Sequence, residues 1–197
     1  MLKFYGAELI ETGPGDFDGA IKLRDELSVK NRWFNGNQFA NPRNLEAHYN
    51  GTGVELMYQC KCHGINPSAF IAGTGTGGTL MGVGKLLTEQ FPTIKIVAVE
   101  PSESPVMSGG EPGLHGIQGI GDGSKFMVDL NFVDKIITVS TQEATEMALR
   151  LAKEYGIFVG VSAGANVLGS LRYCQETGED NVITILCDRG ERYLTCM

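Results

Sequence analysis

The chain has 197 residues, of which 42% are hydrophobic and 20% charged, a globular composition that excludes disordered, collagenous and coiled-coil classes. A net charge of −7 gives no electrostatic case for nucleic acid or an anionic membrane as partner. No apolar run approaches the roughly 18–20 residues that span a bilayer, and no signal-type apolar core follows Met1-Leu2-Lys3-Phe4.

Glycine, proline and periodicity then divide the chain. Ala7–Glu11 reads as a short strand, and Thr12-Gly13-Pro14-Gly15-Asp16 as a turn. Helical spacing at Ile21, Leu23 and Leu27 predicts a helix over Phe17–Lys30. Trp33-Phe34 reads as a second short strand, and another helix is expected over Leu45–Tyr58 after the break at Asn41-Pro42. Ala69-Phe70-Ile71-Ala72 is a continuous apolar run of the kind a doubly covered parallel strand shows. Further expectations are a helix over Leu80–Phe91, then strands over Ile94–Val99 and Lys135–Val139. Thr141–Tyr155 is helical, with Glu143 and Glu146 suiting its first turns. Ile157–Val161 reads as strand, Ala163–Glu176 as helix and Val182–Leu186 as the last strand. Pro101 to Asp129 holds seven glycines without periodicity, and a loop that long in a compact domain is usually functional. Strands alternating with helices predict an α/β fold with an open, mostly parallel sheet covered on both faces.

Glycine is the compositional outlier, with 27 residues, and its clustering points to a ligand. Gly73-Thr74-Gly75-Thr76-Gly77-Gly78-Thr79 stands between a buried strand and a helix, where free N–H groups and the helix dipole suit an anion. Thr76 and Thr79 add hydroxyls. The alternative is a tight strand-to-helix turn without a ligand. No lysine follows the glycines, which disfavours a Walker-type loop, and the spacing fails the dinucleotide fingerprint. A small phosphorylated cofactor fits better. Cys60-Lys61-Cys62-His63 supplies at most three adjacent ligands and no second pair at structural-zinc spacing, so no metal site is expected. Cys60, Cys62, Cys174, Cys187 and Cys196 are expected as reduced thiols in a cytoplasmic protein.

Gly75-Thr76-Gly77-Gly78-Thr79 resembles the pyridoxal-phosphate phosphate loop of the cysteine synthase and cystathionine β-synthase family, the fold type II enzymes. Collinear matches run from Tyr5-Gly6-Ala7-Glu8-Leu9 through Gln38-Phe39-Ala40-Asn41-Pro42, His48-Tyr49 and Val99-Glu100-Pro101. They continue at Ser108-Gly109-Gly110, Ile117-Gln118-Gly119-Ile120-Gly121, Gly160-Val161-Ser162-Ala163-Gly164 and Gly190-Glu191-Arg192-Tyr193-Leu194. The resemblance implies phosphate binding by Gly75, Thr76, Gly77, Gly78 and Thr79, and a Ser162 hydroxyl facing the pyridine nitrogen. The alternative for Ser162 is a helix cap. It also implies substrate contact by the loop containing Gly119 and Gly121 and by Gln38, whose alternative is a surface amide at a strand end. Asp122, Ser124 and Lys125 depart from the apolar continuation of that loop.

Members of the family carry about a hundred further residues ahead of the position of Tyr5, including the Schiff-base lysine and the loop gripping the substrate carboxylate. No segment of this chain resembles either one, so no catalytic residue is assigned. The resemblance therefore implies a remnant of the small domain at 1–44 and the large cofactor-binding domain at 45–197. The expected activity is cysteine synthase-like β-replacement on an O-acetylserine-type substrate. Alone, the chain is expected to hold pyridoxal phosphate noncovalently at most and to lack normal turnover. A homo-oligomer, or association with a full-length homologue, is the expected assembly. The alternative is a non-catalytic phosphate-binding or regulatory module.

Overall fold

The computed structural model describes residues 2–194, so Cys196 lies outside the described residues. The chain divides between Asn37 and Gln38 into two compact units.

The first unit is built around one helix, α1 (Phe17–Asn31), capped by Asp16, whose carboxylate accepts the Gly19 N–H at 2.8 Å. Neither Ala7–Glu11 nor Trp33-Phe34 forms the expected strand. An extended segment becomes a strand only by pairing its backbone groups, and no paired strand lies in this unit among the described residues.

The second unit opens with α2 (Arg43–His48), a π-helical turn over Tyr49–Gly53, and α3 (Val54–His63). The helix expected over Leu45–Tyr58 is thus interrupted by a turn of different pitch. A β-carbon on Gly53 would lie 3.0 Å from Leu86, so the glycine lets this turn pack closely. Then follow β1 (Ala69–Gly73), α4 (Gly78–Gln90), β2 (Lys95–Pro101), β3 (Lys135–Val139), α5 (Thr141–Tyr155), α6 (Val161–Thr177) and β4 (Val182–Thr184). The four strands form one parallel sheet in the order β3-β2-β1-β4.

Side-chain alternation explains the continuous apolar runs. Ala69, Ile71, Val97 and Val99 face one side and pack with Ala144, Val161 and Ala165 of α5 and α6. Phe70, Ala72, Ile96 and Ala98 face the other, against Leu80, Val83 and Leu87 of α4. Both faces are buried, so neither shows a polar alternation.

Ile157–Val161 is not a strand. Val159 makes a lone antiparallel bridge to Arg189, and Val161 already begins α6. β4 stops at Thr184 instead of Leu186, because the next carbonyl, that of Ile185, is taken by the Asn166 side chain at 2.8 Å. The stretch between Pro101 and Asp129 contains no helix or strand and is held by a buried carboxylate. Glu100 accepts the Met107 N–H at 2.7 Å, the Ser108 N–H at 3.0 Å and the Ser108 hydroxyl at 2.5 Å. No helix among the described residues is long and apolar enough to cross a membrane.

Candidate functional site

In a parallel sheet covered by helices, ligands gather beyond the carboxyl ends of the strands. There β1 ends at Gly73 and the chain turns through Thr74–Gly77 into α4. The turn requires a left-handed residue, and Gly77 supplies it with φ +89°. No side chain caps α4. Among the described residues, the Gly78 N–H is satisfied by Thr76 Oγ1 at 3.2 Å, whereas those of Gly75, Thr76, Gly77, Thr79 and Leu80 have no hydrogen-bond partner. Gly77 and Leu80 are buried. Buried, unpaired N–H groups at the head of a 13-residue helix are costly unless an anion accepts from them.

The loop is fixed from several sides. Asn44 Nδ2, from α2, donates at 3.0 Å to both Thr76 Oγ1 and the Gln38 carbonyl. Having accepted from Asn44 and the Gly78 N–H, the Thr76 hydroxyl keeps its own proton for a further acceptor. His48 Nε2 lies 3.2 Å from Thr79 Oγ1, and its Nδ1 lies 3.1 Å from Thr52 Oγ1. Burial lowers the His48 pKa, which keeps the ring neutral near pH 7. The glycine-rich segment closes the remaining side. Gly121 N–H donates to the Thr74 carbonyl at 2.9 Å, and Met127 N–H donates to that of Thr76 at 3.2 Å. A β-carbon on Gly75 would sit 2.6 Å from the Gly119 carbonyl, and one on Gly78 would collide with Asn44. Glycine is needed at both positions for close approach.

Ser162 lies in the first turn of α6 and is 5% exposed. One turn further along, Asn166 accepts the Gly73 N–H at 2.7 Å, so Ser162 shares the side of α6 that meets the end of β1. Asn166 Nδ2 donates to the Cys187 thiol at 3.5 Å, and Ser162 acts on the same thiol. Desolvation by its surroundings raises the Cys187 pKa although part of the residue remains accessible. Behind them, Tyr193 donates to Asp188 Oδ2 at 2.5 Å; burial, followed by that carboxylate, pushes its phenol up to about 12.

The structure therefore brings Gly75–Thr79 and the Gly119–Gly121 segment together. Gln38 joins them through its backbone, while its side chain is exposed. Asn44 and Asn166, which fix the loop and the end of β1, were not singled out from the sequence. Asn166 did leave a signal, as a lone amide in the apolar stretch Ala163–Leu168, where a buried polar group must have partners. Cys60 is buried while Cys62 and His63 are exposed, and no group of three or more His, Cys, Asp or Glu could hold a metal among the described residues. Cys60, Cys62, Cys174 and Cys187 are free thiols.

The phosphate of pyridoxal phosphate fits the unpaired N–H groups at the head of α4. Residues 1–188 match the family described as pyridoxal-phosphate dependent enzyme. A cysteine synthase of Staphylococcus aureus is 46% identical over 99% of this chain and 63% of its own length. A hydrogen sulfide-producing enzyme of Fusobacterium nucleatum superposes with a TM-score of 0.93 at 36% identity, over 99% of this chain and 60% of that one. Cysteine synthase from Entamoeba histolytica superposes with a TM-score of 0.88 at 39% identity, over 99% of this chain and 58% of that one. The chain spans about 63% of the length of the curated relatives it matches. With its parallel sheet, its glycine loop at the head of α4 and this match along nearly its whole length, the chain belongs to the pyridoxal-phosphate dependent enzyme family.

Proposed function

We propose that this chain is the cofactor-holding part of a cysteine synthase-type enzyme that performs β-replacement on an O-acetylserine-type substrate with sulfide, in the cytoplasm. The observation that carries the reading is the set of unpaired N–H groups at Gly75, Thr76, Gly77, Thr79 and Leu80. These groups and the Thr76 hydroxyl hold the phosphate of pyridoxal phosphate, with the α4 dipole adding to the attraction. Bound pyridoxal phosphate supplies the electron sink that makes loss of a β-substituent from an amino acid accessible.

The chain's own residues bind and orient. Ser162, buried and at the head of α6, presents a neutral hydroxyl to the pyridine nitrogen. A neutral partner leaves that nitrogen unprotonated and tempers the ring, which suits elimination. The Gly119–Gly121 segment, fastened to Thr74, forms the wall on the substrate side, with Gln38 beside it through Asn44. Within these 197 residues no lysine matches the family's anchoring lysine. The chain by itself accordingly holds the cofactor noncovalently and does not turn over, and it gains activity from a homologous copy or segment that supplies the lysine and the carboxylate grip.

The test is to mix the chain with pyridoxal phosphate, treat it with borohydride, and map peptides for a modified lysine. In parallel, cysteine production from O-acetylserine and sulfide is assayed. The expected result is saturable cofactor binding, no modified lysine, and turnover no faster than free cofactor in buffer. Robust turnover with a single modified lysine would overturn the noncovalent part of the proposal. Absence of any cofactor binding would overturn the whole of it.

A further inference from the structure

We propose that Asp122 sets the protonation state in which the Gly75–Leu80 cradle takes its anion, so that a phosphate-type dianion binds together with a proton on the Asp122 carboxyl. The inference rests on the reading of the cradle as an anion site. Asp122 directly follows the segment pinned to Thr74 by the Gly121 N–H. A β-carbon on Gly75 would lie 3.2 Å from Asp122 Oδ2, so this carboxyl sits against the first residue of the cradle. It is half-buried and receives no hydrogen bond or ion pair among the described residues.

The charged surroundings are sparse. His115 acts on Asp122 from the same glycine-rich segment; its Nε2 donates to the Gly121 carbonyl at 2.9 Å, and its Nδ1 is buried without a partner. Glu100, at the end of β2, is committed to Met107 and Ser108. The stretches Gly73–Gly84 and Val161–Leu171 contain no charged side chain, and His48 lies beyond Thr79. Burial raises the Asp122 pKa, and His115 offsets only part of this. An ionised carboxylate beside an incoming dianion repels it. Protonation removes the repulsion and turns the same group into a hydrogen-bond donor.

Sulfate is the probe, because its charge stays at −2 across the range studied. Binding is measured by calorimetry between about pH 5 and pH 8 for the unmodified chain and for Asp122→Asn, in two buffers that differ in ionisation enthalpy. For the unmodified chain, affinity should fall at least about tenfold across this range, with proton uptake on binding. Asp122→Asn should keep the low-pH affinity, bind several-fold tighter than the unmodified chain at pH 8, and lose the proton uptake. A carbon-detected titration of the Asp122 carboxyl keeps the proposal testable if the variant folds poorly, since sulfate should raise its midpoint by about one unit or more. Parallel pH profiles for the two proteins, or a carboxyl whose titration ignores sulfate, would overturn the proposal and leave the cradle standing. Sulfate binding by neither protein at any pH would overturn the cradle reading itself.

Discussion

Replacing Gly77 with alanine attacks the cradle where its backbone is most demanding. Gly77 has φ +89°, and an L-residue there costs on the order of 1–2 kcal/mol. The added methyl would also lie 2.8 Å from Val128 Cγ2 and 3.0 Å from the Val128 nitrogen, so backbone has to move as well as a side chain. That movement strains the Met127 N–H bond to the Thr76 carbonyl, a contribution of about 1 kcal/mol. The total destabilisation is about 2–3 kcal/mol. Binding suffers separately, because the N–H groups of Gly77, Thr79 and Leu80 no longer converge. Hydrogen bonds to a charged group contribute about 1.5–3 kcal/mol each, so misaligning two of them lowers phosphate affinity by at least about a hundredfold. The assay is calorimetric titration with inorganic phosphate and with pyridoxal phosphate, alongside urea unfolding. Gly51→Ala serves as the control, since a β-carbon on Gly51 meets nothing within 4 Å. A folded Gly77→Ala protein whose phosphate affinity lies within about twofold of the original would refute the reasoning.

Asn166→Ala leaves the Gly73 N–H without a partner and the Ile185 carbonyl with only the weak Cys187 thiol donor at 3.9 Å, and should cost about 1–3 kcal/mol in urea unfolding; a loss under about 0.5 kcal/mol would show that the tether is dispensable. Ser162→Ala should weaken binding of pyridoxal phosphate while leaving inorganic phosphate affinity unchanged, because the proposed role of its hydroxyl is toward the ring nitrogen and not the phosphate. Equal losses for both ligands would place the effect in the fold. Burial depresses the His48 pKa in the folded state, so the neutral ring is favoured there. Its contribution to stability is present above the unfolded value of about 6.5 and is lost as pH falls from there through the folded value. His48→Gln should flatten that part of the stability profile, as followed by urea midpoints, and an unchanged slope would count against it.

The sheet and its flanking helices were legible where local chemistry and tertiary packing agree. Lys135–Val139 and Thr141–Tyr155 fold over the residues expected, because a β-branched run is followed by a capping box in which Ser140 and Glu143 satisfy each other. Ala7–Glu11, Trp33-Phe34 and Ile157–Val161 read as strands because an apolar run does not disclose whether a neighbouring strand will pair with it. The interruption at Tyr49–Gly53 was hidden because it depends on close packing against Leu86. In the candidate site the glycine loop announces itself, since strand, glycines and helix are contiguous. Its supports do not, because Asn44, His48 and Asn166 meet it only through the folded topology, from as far as 93 residues away in the chain. Ser162 stood out only through the family likeness; its burial beside Cys187 gives it a physical setting.

The central claim is that a phosphate group is held by the backbone at the head of α4. The most direct measurement is a titration of the isotopically labelled chain with pyridoxal phosphate, followed through its amide resonances. The account predicts that the largest downfield amide-proton shifts fall on Gly75, Thr76, Gly77, Thr79 and Leu80, and that inorganic phosphate reproduces them. Saturable binding that leaves these five amides unmoved and shifts others instead would contradict it.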